Sequence, residues 1–529
     1  MPRRSHFPFI GLLFSLLVAL VMVPALGSAA QADPVAPAAP VAPVVPVAAV
    51  DGTDPAQDEA EQALETVQEI LEPTASPTAP PAVPAEGADL TMALRDLAVT
   101  REDLPKALQD DAARLLARPG TLARPPGGGI ECTPGSGLPC YNGVPETTPE
   151  CSTTGICVHF VESGPEASTR SWARDVLGVM THVAERYTRA GYRPPGGDGA
   201  NGSLPAAVGN GPNVFDVYLA DLGARGLYGY CTTDQRVAGH VTAPAYCVLD
   251  NNYAEYGPGP APDDILRVTA AHEYFHAVQF AYDVNEDGWL MEATATWAED
   301  EVYDHINDNR QYLRGGPLGQ PAQPLDHRRG IAPYGAWIFF KYLSERFPAV
   351  NVPGGMPTVV RDVWTLAAGP ANARQAVGAA LAARGTDLRT QFGWFAAANR
   401  RPALHYSEGA FYPRASLWRR AKLTNARRSA SDSASLKHLS ARTFRFKSKV
   451  SGKARLRVHV DGPPRKKGGY VLVTIKRKGQ APVTKKVKIN RLGDKTKGFA
   501  FGKRVRWVEI TVTNAGKRDR RIAVSARVR

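Results

Sequence analysis

His272-Glu273-Tyr274-Phe275-His276 is an H-E-x-x-H run. On an α-helix, residues i and i+4 share a face, so His272 and His276 can each turn a ring nitrogen to one metal ion. Zinc suits such a pair, because it takes about four ligands near tetrahedral geometry and accepts imidazole readily. Glu273 then points beside the metal, where it can take a proton from a metal-activated water and pass it to a leaving amine. The chemistry these residue types support at this spacing is hydrolysis. A third protein ligand has to come from elsewhere. In the pattern that supplies it as a downstream His, a Gly and a His are required where this chain has Gln279 and Tyr282. A carboxylate from a second helix fits better. In Trp289-Leu290-Met291-Glu292-Ala293-Thr294-Ala295-Thr296-Trp297-Ala298-Glu299, Glu292 lies 16 residues after His276, room for a loop and an antiparallel return helix. Glu292 is the expected third ligand and Glu299 the alternative; Asp300 and Glu301 read as a solvated helix face.

These residues need elements to hold them. Asp263 to Ala281 reads as one helix, started by Pro262-Asp263-Asp264 and stopped by Asp283 to Gly288. That stop, Asp283-Val284-Asn285-Glu286-Asp287-Gly288, matches the opening of a calcium loop, but Thr294 stands where the closing Glu is required. Calcium is therefore weighed against a plain turn. A donor for a tetrahedral oxyanion is also needed. Tyr334, at the start of an apolar helix, is the candidate against a packed or capping role, and His327 on the preceding loop is an alternative. His159 sits on a strand and reads as structural. Upstream, Ile156–Val161, Val214–Ala220 and Tyr246–Leu249 read as strands and Ser168–Ala190 as a helix, an α/β or α+β body. Tyr334–Phe347 and Ala371–Arg384 lie in a mostly helical stretch beyond the site.

The run His272 to Phe280, the run Asp287 to Glu299, and Tyr334-Gly335-Ala336-Trp337-Ile338-Phe339 together resemble a family of secreted bacterial metalloproteases with a gluzincin-type site, H-E-x-x-H plus a downstream Glu. Cys157-Val158-His159-Phe160, Asp216-Val217-Tyr218-Leu219 and Leu249-Asp250-Asn251-Asn252-Tyr253 agree with it. The resemblance spans roughly residues 90–415. The Trp-Leu-Met-Glu-Ala element is also similar to the Glu-ligand helix of zinc aminopeptidases, whose Glu usually lies slightly farther downstream. The resemblance implies an α+β zincin-like catalytic domain with a largely helical C-terminal subdomain, and peptidase activity.

Around that body the chain is heterogeneous. Arg3 and Arg4, an apolar stretch from Phe9 to about Leu26, and Ala30-Gln31-Ala32 read as a signal peptide over 1–32, in preference to a membrane anchor. Residues 33–88 are rich in Ala and Pro and read as a disordered spacer or pro-segment, with room for a short acidic helix near Asp58 to Leu71. Leucines at helical spacing from 88 to 118 predict two amphipathic helices broken near Pro105, either a cap on the main domain or part of a pro-segment. The catalytic domain then runs over 89–421, a linker over 422–434, and a small all-β sandwich-like domain over 435–529, where alternating runs are separated by turns. The six cysteines form an even set in an exported chain and predict disulfides. Of 15 connectivities, local pairing (132–140, 151–157, 231–247) is the simplest.

Charge divides the chain of 529 residues in two. Residues 431–529 carry 29 basic and 5 acidic side chains, and the remainder carries 34 basic and 46 acidic. An acidic body is tied to a basic tail, so the overall +12 describes neither. Clusters such as Arg465-Lys466-Lys467 and Lys517-Arg518 suit a cell-wall or other anionic surface, against a reading as mere composition; no nucleic-acid motif accompanies them. The expectation is a secreted, cell-surface-associated zinc endopeptidase acting on protein or peptide. The alternatives are a non-catalytic surface or polyanion-binding protein with a degenerate zinc site, and a zinc hydrolase of a non-peptide amide or ester.

Overall fold

The computed structural model describes residues 54–71, 90–120, 132, 137–141, 143–196, 214–348 except 236, 238, 240 and 258, and 355–529. The signal peptide and most of the Ala/Pro-rich stretch lie outside them. The described residues all belong to one compact unit, Thr53–Arg529.

Three N-terminal helices come first: α1 (Pro55–Leu71), α2 (Leu90–Thr100) and α3 (Lys106–Leu115). The break before Pro105 stands where the sequence puts it. The short acidic helix allowed for near Asp58 to Leu71 is α1, whose Ala60, Leu64 and Val67 are buried in the main core. An acidic helix with three apolar residues at i, i+4 and i+7 has a stripe to bury, and α2 receives it.

The central sheet contains β1 (Glu150–Cys151), β2 (Ile156–His159), β3 (Phe215–Ala220), β4 (Gly229–Thr232) and β5 (Tyr246–Asp250), with α4 (Arg170–Arg189) crossing between β2 and β3. The order is β1-β2-β3-β5-β4. β2, β3 and β5 run parallel, and β1 and β4 are antiparallel strands at the two edges. Every residue of β3 and β5 is buried, as strands covered on both faces must be. On one face lie α4 and α5 (Pro262–Phe280), with Phe215 edge-on to Tyr274 and the Tyr187 hydroxyl donating to the Ala271 carbonyl at 2.7 Å. On the other face, Arg118 spans Asp216 and Asp234 at 2.9 Å each, and His159 meets Asp216 at 3.2 Å. The three disulfides pair as expected, 132–140, 151–157 and 231–247. The last two join cross-strand neighbours.

α6 (Gly288–Val302) returns along α5. Both are buried on almost every turn, so neither shows an amphipathic stripe; they are the central helices of the body. The helical middle comes next: α7 (Ala332–Gly335), α8 (Trp337–Arg346), α9 (Thr358–Ala367), α10 (Ala373–Ala383) and α11 (Leu388–Ala398). The single helix expected over Tyr334–Phe347 is two, joined at Ala336. Asp300 and Glu301 are not a solvated face. Asp300 is buried against the Lys341 ammonium at 2.6 Å, and burial pushes the Glu301 carboxyl up to about 7.

The C-terminal part is a sandwich of β6 (Arg419–Thr424), β7 (Ser429–Leu436), β8 (Ser440–Lys449), β9 (Lys453–Asp461), β10 (Gly469–Arg477), β11 (Val483–Lys486), β12 (Asp494–Gly502), β13 (Val505–Asn514) and β14 (Arg520–Val528). Its sheets are β11-β10-β13-β8-β6 and β12-β9-β14-β7, with one apolar core from the inward residues of both. Residues 422–434, expected as a linker, carry parts of β6 and β7. Their Ser/Ala/Lys composition hides the strands, because β7 is an edge strand built of small residues and only Ala421, Leu423, Ala434 and Leu436 reach the core. The sandwich is seated on the helical middle through the fully buried Glu509 of β13, which meets Arg400, Arg401 and Arg445.

Candidate metal centre

α5 carries His272, Glu273 and His276, and α6 carries Glu292 to the same point. One donor atom from each of His272, His276 and Glu292 lies within 4.8 Å of the others. The two helices do this because Pro262, Asp263 and Asp264 start α5 favourably for its dipole, and the short turn 281–287 sends α6 back antiparallel. Glu292 Oε2 is 3.2 Å from His272 Nε2, and Glu292 Oε1 is 3.1 Å from His276 Nε2.

Each imidazole is oriented from behind. His272 Nδ1 contacts Glu299 Oε1 at 2.6 Å, and His276 Nδ1 contacts Gln279 Oε1 at 2.8 Å. The Gln279 amide is itself locked, since its NH2 donates to the Met291 carbonyl and the Thr294 hydroxyl. Thr294 donates to the Leu290 carbonyl and accepts from the Trp364 indole as well. The Gln279 oxygen therefore faces His276, whose Nδ1 donates to it and whose Nε2 points to Glu292. Glu299, the alternative ligand, is a partner behind His272.

A cation fits this site. His276 Nε2 and both Glu292 carboxylate oxygens are buried without a hydrogen bond, at roughly 1–3 kcal/mol for each such atom. Two imidazoles and a carboxylate converging in a dry pocket are a donor set for a divalent transition metal. Burial pushes the His272 imidazole down, but Glu292 and Glu299 more than offset this and hold it well above its usual value. Burial pushes Glu292 up, and the two histidines outweigh it, holding the carboxyl below the usual range. Glu299 rises to about 7, chiefly by burial.

Glu273 accepts the Thr91 hydroxyl at 2.9 Å. Tyr334 lies beside the site, its ring stacked on His272 at 5.8 Å between centroids and on Tyr312 at 5.0 Å. His327 stays on the preceding loop, with its N–H turned to the Pro324 carbonyl. His159 lies with Asp216 and Arg118 on the sheet face away from α5. The loop 283–288 is a turn joining α5 and α6. Arg95 of α2 donates to the Val284 and Glu286 carbonyls at 3.1 and 2.9 Å and so fastens this turn to α2. Among the described residues no other three His, Cys, Asp or Glu side chains converge as ligands.

Thr91, Gln279 and the edge strand β4 were not anticipated as parts of the site. β4 shows no alternation, since Gly229-Tyr230-Cys231-Thr232 is short and buried, although a disulfide spanning 231–247 hints at paired strands. Gly229 packs closely there, since a Cβ would lie 2.9 Å from Leu249 Cδ2 of β5 and 2.9 Å from Thr269 Cγ2 of α5.

A second feature lies away from the metal centre. Gly468, at φ +98°, is packed so closely on Gly516 that a Cβ would sit 2.1 Å from its nitrogen. This brings Arg465-Lys466-Lys467 against Lys517-Arg518. Together with Arg374 and Arg389 of the helical middle they line a cleft of about 900 Å³.

No family model matches the chain, and no curated protein matches it. Among solved structures, the pre-peptidase C-terminal domain of a collagenase from Bacillus anthracis is 11% identical, with 21% of this chain and 94% of that chain covered and a TM-score of 0.15. A mutant of PliG, a periplasmic inhibitor of g-type lysozyme from Escherichia coli, is 15% identical over 21% and 96%, with a TM-score of 0.14. PliG of Salmonella Typhimurium is 13% identical over 21% and 98%, with a TM-score of 0.14. These likenesses are too slight to bear on activity. Fold and site together define a mixed α/β body with a helical middle, a C-terminal β domain, and a buried His272/His276/Glu292 triad that fits the H-E-x-x-H plus Glu zinc motif. The three disulfides are those of an extracytoplasmic protein, and no helix among the described residues is long and apolar enough to cross a membrane.

Proposed function

We propose that this chain is a secreted zinc metallopeptidase of gluzincin type, an endopeptidase. His272, His276 and Glu292 hold the zinc, Glu273 is the general base and acid, and Tyr334 donates to the oxyanion. The observation that carries the reading is the buried triad with Glu273 beside it but outside it. A purely structural metal site has no use for a second carboxylate at that place. Zinc, when bound, polarises a carbonyl and acidifies water. The remaining work belongs to the side chains. Glu273 shuttles a proton to the departing amine, Tyr334 supports the developing negative charge from the His272 side, and Gln279 and Glu299 keep both imidazoles aimed.

The test is zinc content and peptide-library cleavage for the parental chain and Glu273→Gln, each also in an Arg95→Glu background that unfastens α2 from the 283–288 turn. Glu273→Gln should keep its zinc and lose turnover by about 10²–10⁴-fold. Zinc bound without Glu273-dependent turnover of any peptide would sink the peptidase reading.

The basic cleft supports an anionic surface as partner, with cell-wall polyanion as the chemistry that fits. Binding to immobilised polyphosphate should fall as salt rises and weaken on Lys466→Glu/Lys467→Glu, more than on Lys485→Glu/Lys486→Glu. Equal weakening by both pairs would leave only a diffuse charge effect.

A further inference from the structure

Among the described residues β4 is the last strand of its sheet, and one side of it has no strand partner. The Cys231/Cys247 pair has its Cα atoms 4.1 Å apart, the separation of a non-hydrogen-bonded antiparallel pair. At such a pair, the N–H and C=O of Cys231 point outward, to the open edge. The Cys231 N–H is taken there at 3.1 Å by the hydroxyl of Thr91. The same hydroxyl donates to Glu273 Oε2 at 2.9 Å. One side chain of α2 thus bridges the open edge and the proposed general base.

An extended peptide adding to an open sheet edge needs those outward backbone groups, and its scissile bond must come to Glu273. α2 stands in that space. It is fastened on the far wall too, where Arg95 holds the Val284 and Glu286 carbonyls on the turn leading to the Glu292 helix. α1 closes over it, so α2 is buried on almost every face. Under it Glu273 is only 7% exposed and His272 8%.

We propose that α1 and α2 are an internal plug filling the cleft between β4 and α5, with Thr91 set between the Cys231 N–H and Glu273. The proposal rests on the peptidase function and adds its control. Turnover requires α2 to lift or to be removed.

The experiment uses the full chain loaded with zinc, in the parental form and as Arg95→Glu and Thr91→Val. Arg95→Glu sets a carboxylate against two carbonyl oxygens and should lift α2. Thr91→Val keeps the volume but neither accepts from Cys231 nor donates to Glu273. Two rates are read: stripping of zinc by a chromogenic chelator, and cleavage of a quenched peptide library. Glu509→Gln, which loosens the sandwich and not α2, controls for general destabilisation.

Arg95→Glu should speed stripping and cleavage at least tenfold, and Thr91→Val severalfold, with Glu509→Gln near the parental chain. Should Arg95→Glu fail to fold, Thr91→Val decides. Equal stripping rates in the parental chain and the plug variants overturn the plug, whether or not peptides are cut. Faster stripping with no peptide cleaved keeps the plug and removes the peptidase reading.

Discussion

Glu292 and Glu299 are one turn apart twice over on α6, and both contact His272, yet they are expected to behave differently when removed. Glu292 faces the Nε2 atoms of both histidines at 3.1 and 3.2 Å. Glu299 faces only His272 Nδ1, at 2.6 Å, from behind. Glu299→Gln keeps the shape and an acceptor oxygen but loses the charge that orients the ring. Loss of such an outer partner typically lowers metal affinity by about 10–100-fold, or roughly 1.4–2.7 kcal/mol. Glu292→Gln removes a direct donor and leaves two imidazoles alone in a dry pocket, so stoichiometric zinc should be lost. The assay is competition for zinc against a chelator of known affinity, read on the parental chain and both variants at one pH. Gln279→Leu should fall with Glu299→Gln, since it frees His276 in the same way. If zinc stays with Glu292→Gln and leaves with Glu299→Gln, the ligand assignment and the reasoning from ring orientation are both wrong.

Three other outcomes are expected. Lys341→Met should destabilise the chain by about 3–5 kcal/mol in urea unfolding, because it leaves Asp300 buried and unpaired; an effect below about 1 kcal/mol would show that water reaches Asp300. Burial pushes the His159 imidazole down while Asp216, 3.2 Å away, pushes it up by more, so its folded value is raised. Its stabilisation is then fully present below about pH 6.5 and lost as pH climbs through the folded value, and His159→Phe should flatten that slope. An unchanged slope in the variant would clear His159 of the effect. Glu509→Ala leaves three arginines facing one another, with burial already lowering Arg400 to about 10. Calorimetry should then split one transition into two as the sandwich separates from the helical middle, and a single unshifted transition would refute that joint.

Much of the site is legible along the chain because it is local. The i, i+4 spacing of His272 and His276 and the short turn to Glu292 need only helix geometry, and the local disulfides need only short loops. Elements with a clear period were equally readable, such as α4 with its buried stripe and the alternating strands β9 and β13. The misreadings share one cause. Asp300 looks solvated beside Glu299 and Glu301 until Lys341, 41 residues on, arrives to neutralise it. Residues 429–434 look like part of a linker until β14 pairs with them.

The residue types at 272, 276 and 292 were enough to specify a cluster that could hold a metal ion, since their spacing acts within two helices joined by one turn. What covers that site was decided only in three dimensions. Thr91 reaches Glu273 across 182 residues of chain, and Cys231 reaches Thr91 across 140. No periodicity or spacing records such contacts, because they depend on which sheet edge stays open and which helix comes to lie along it. The same holds for the two charge clusters near 466 and 517, which are separate along the chain and meet because two glycines let their loops touch.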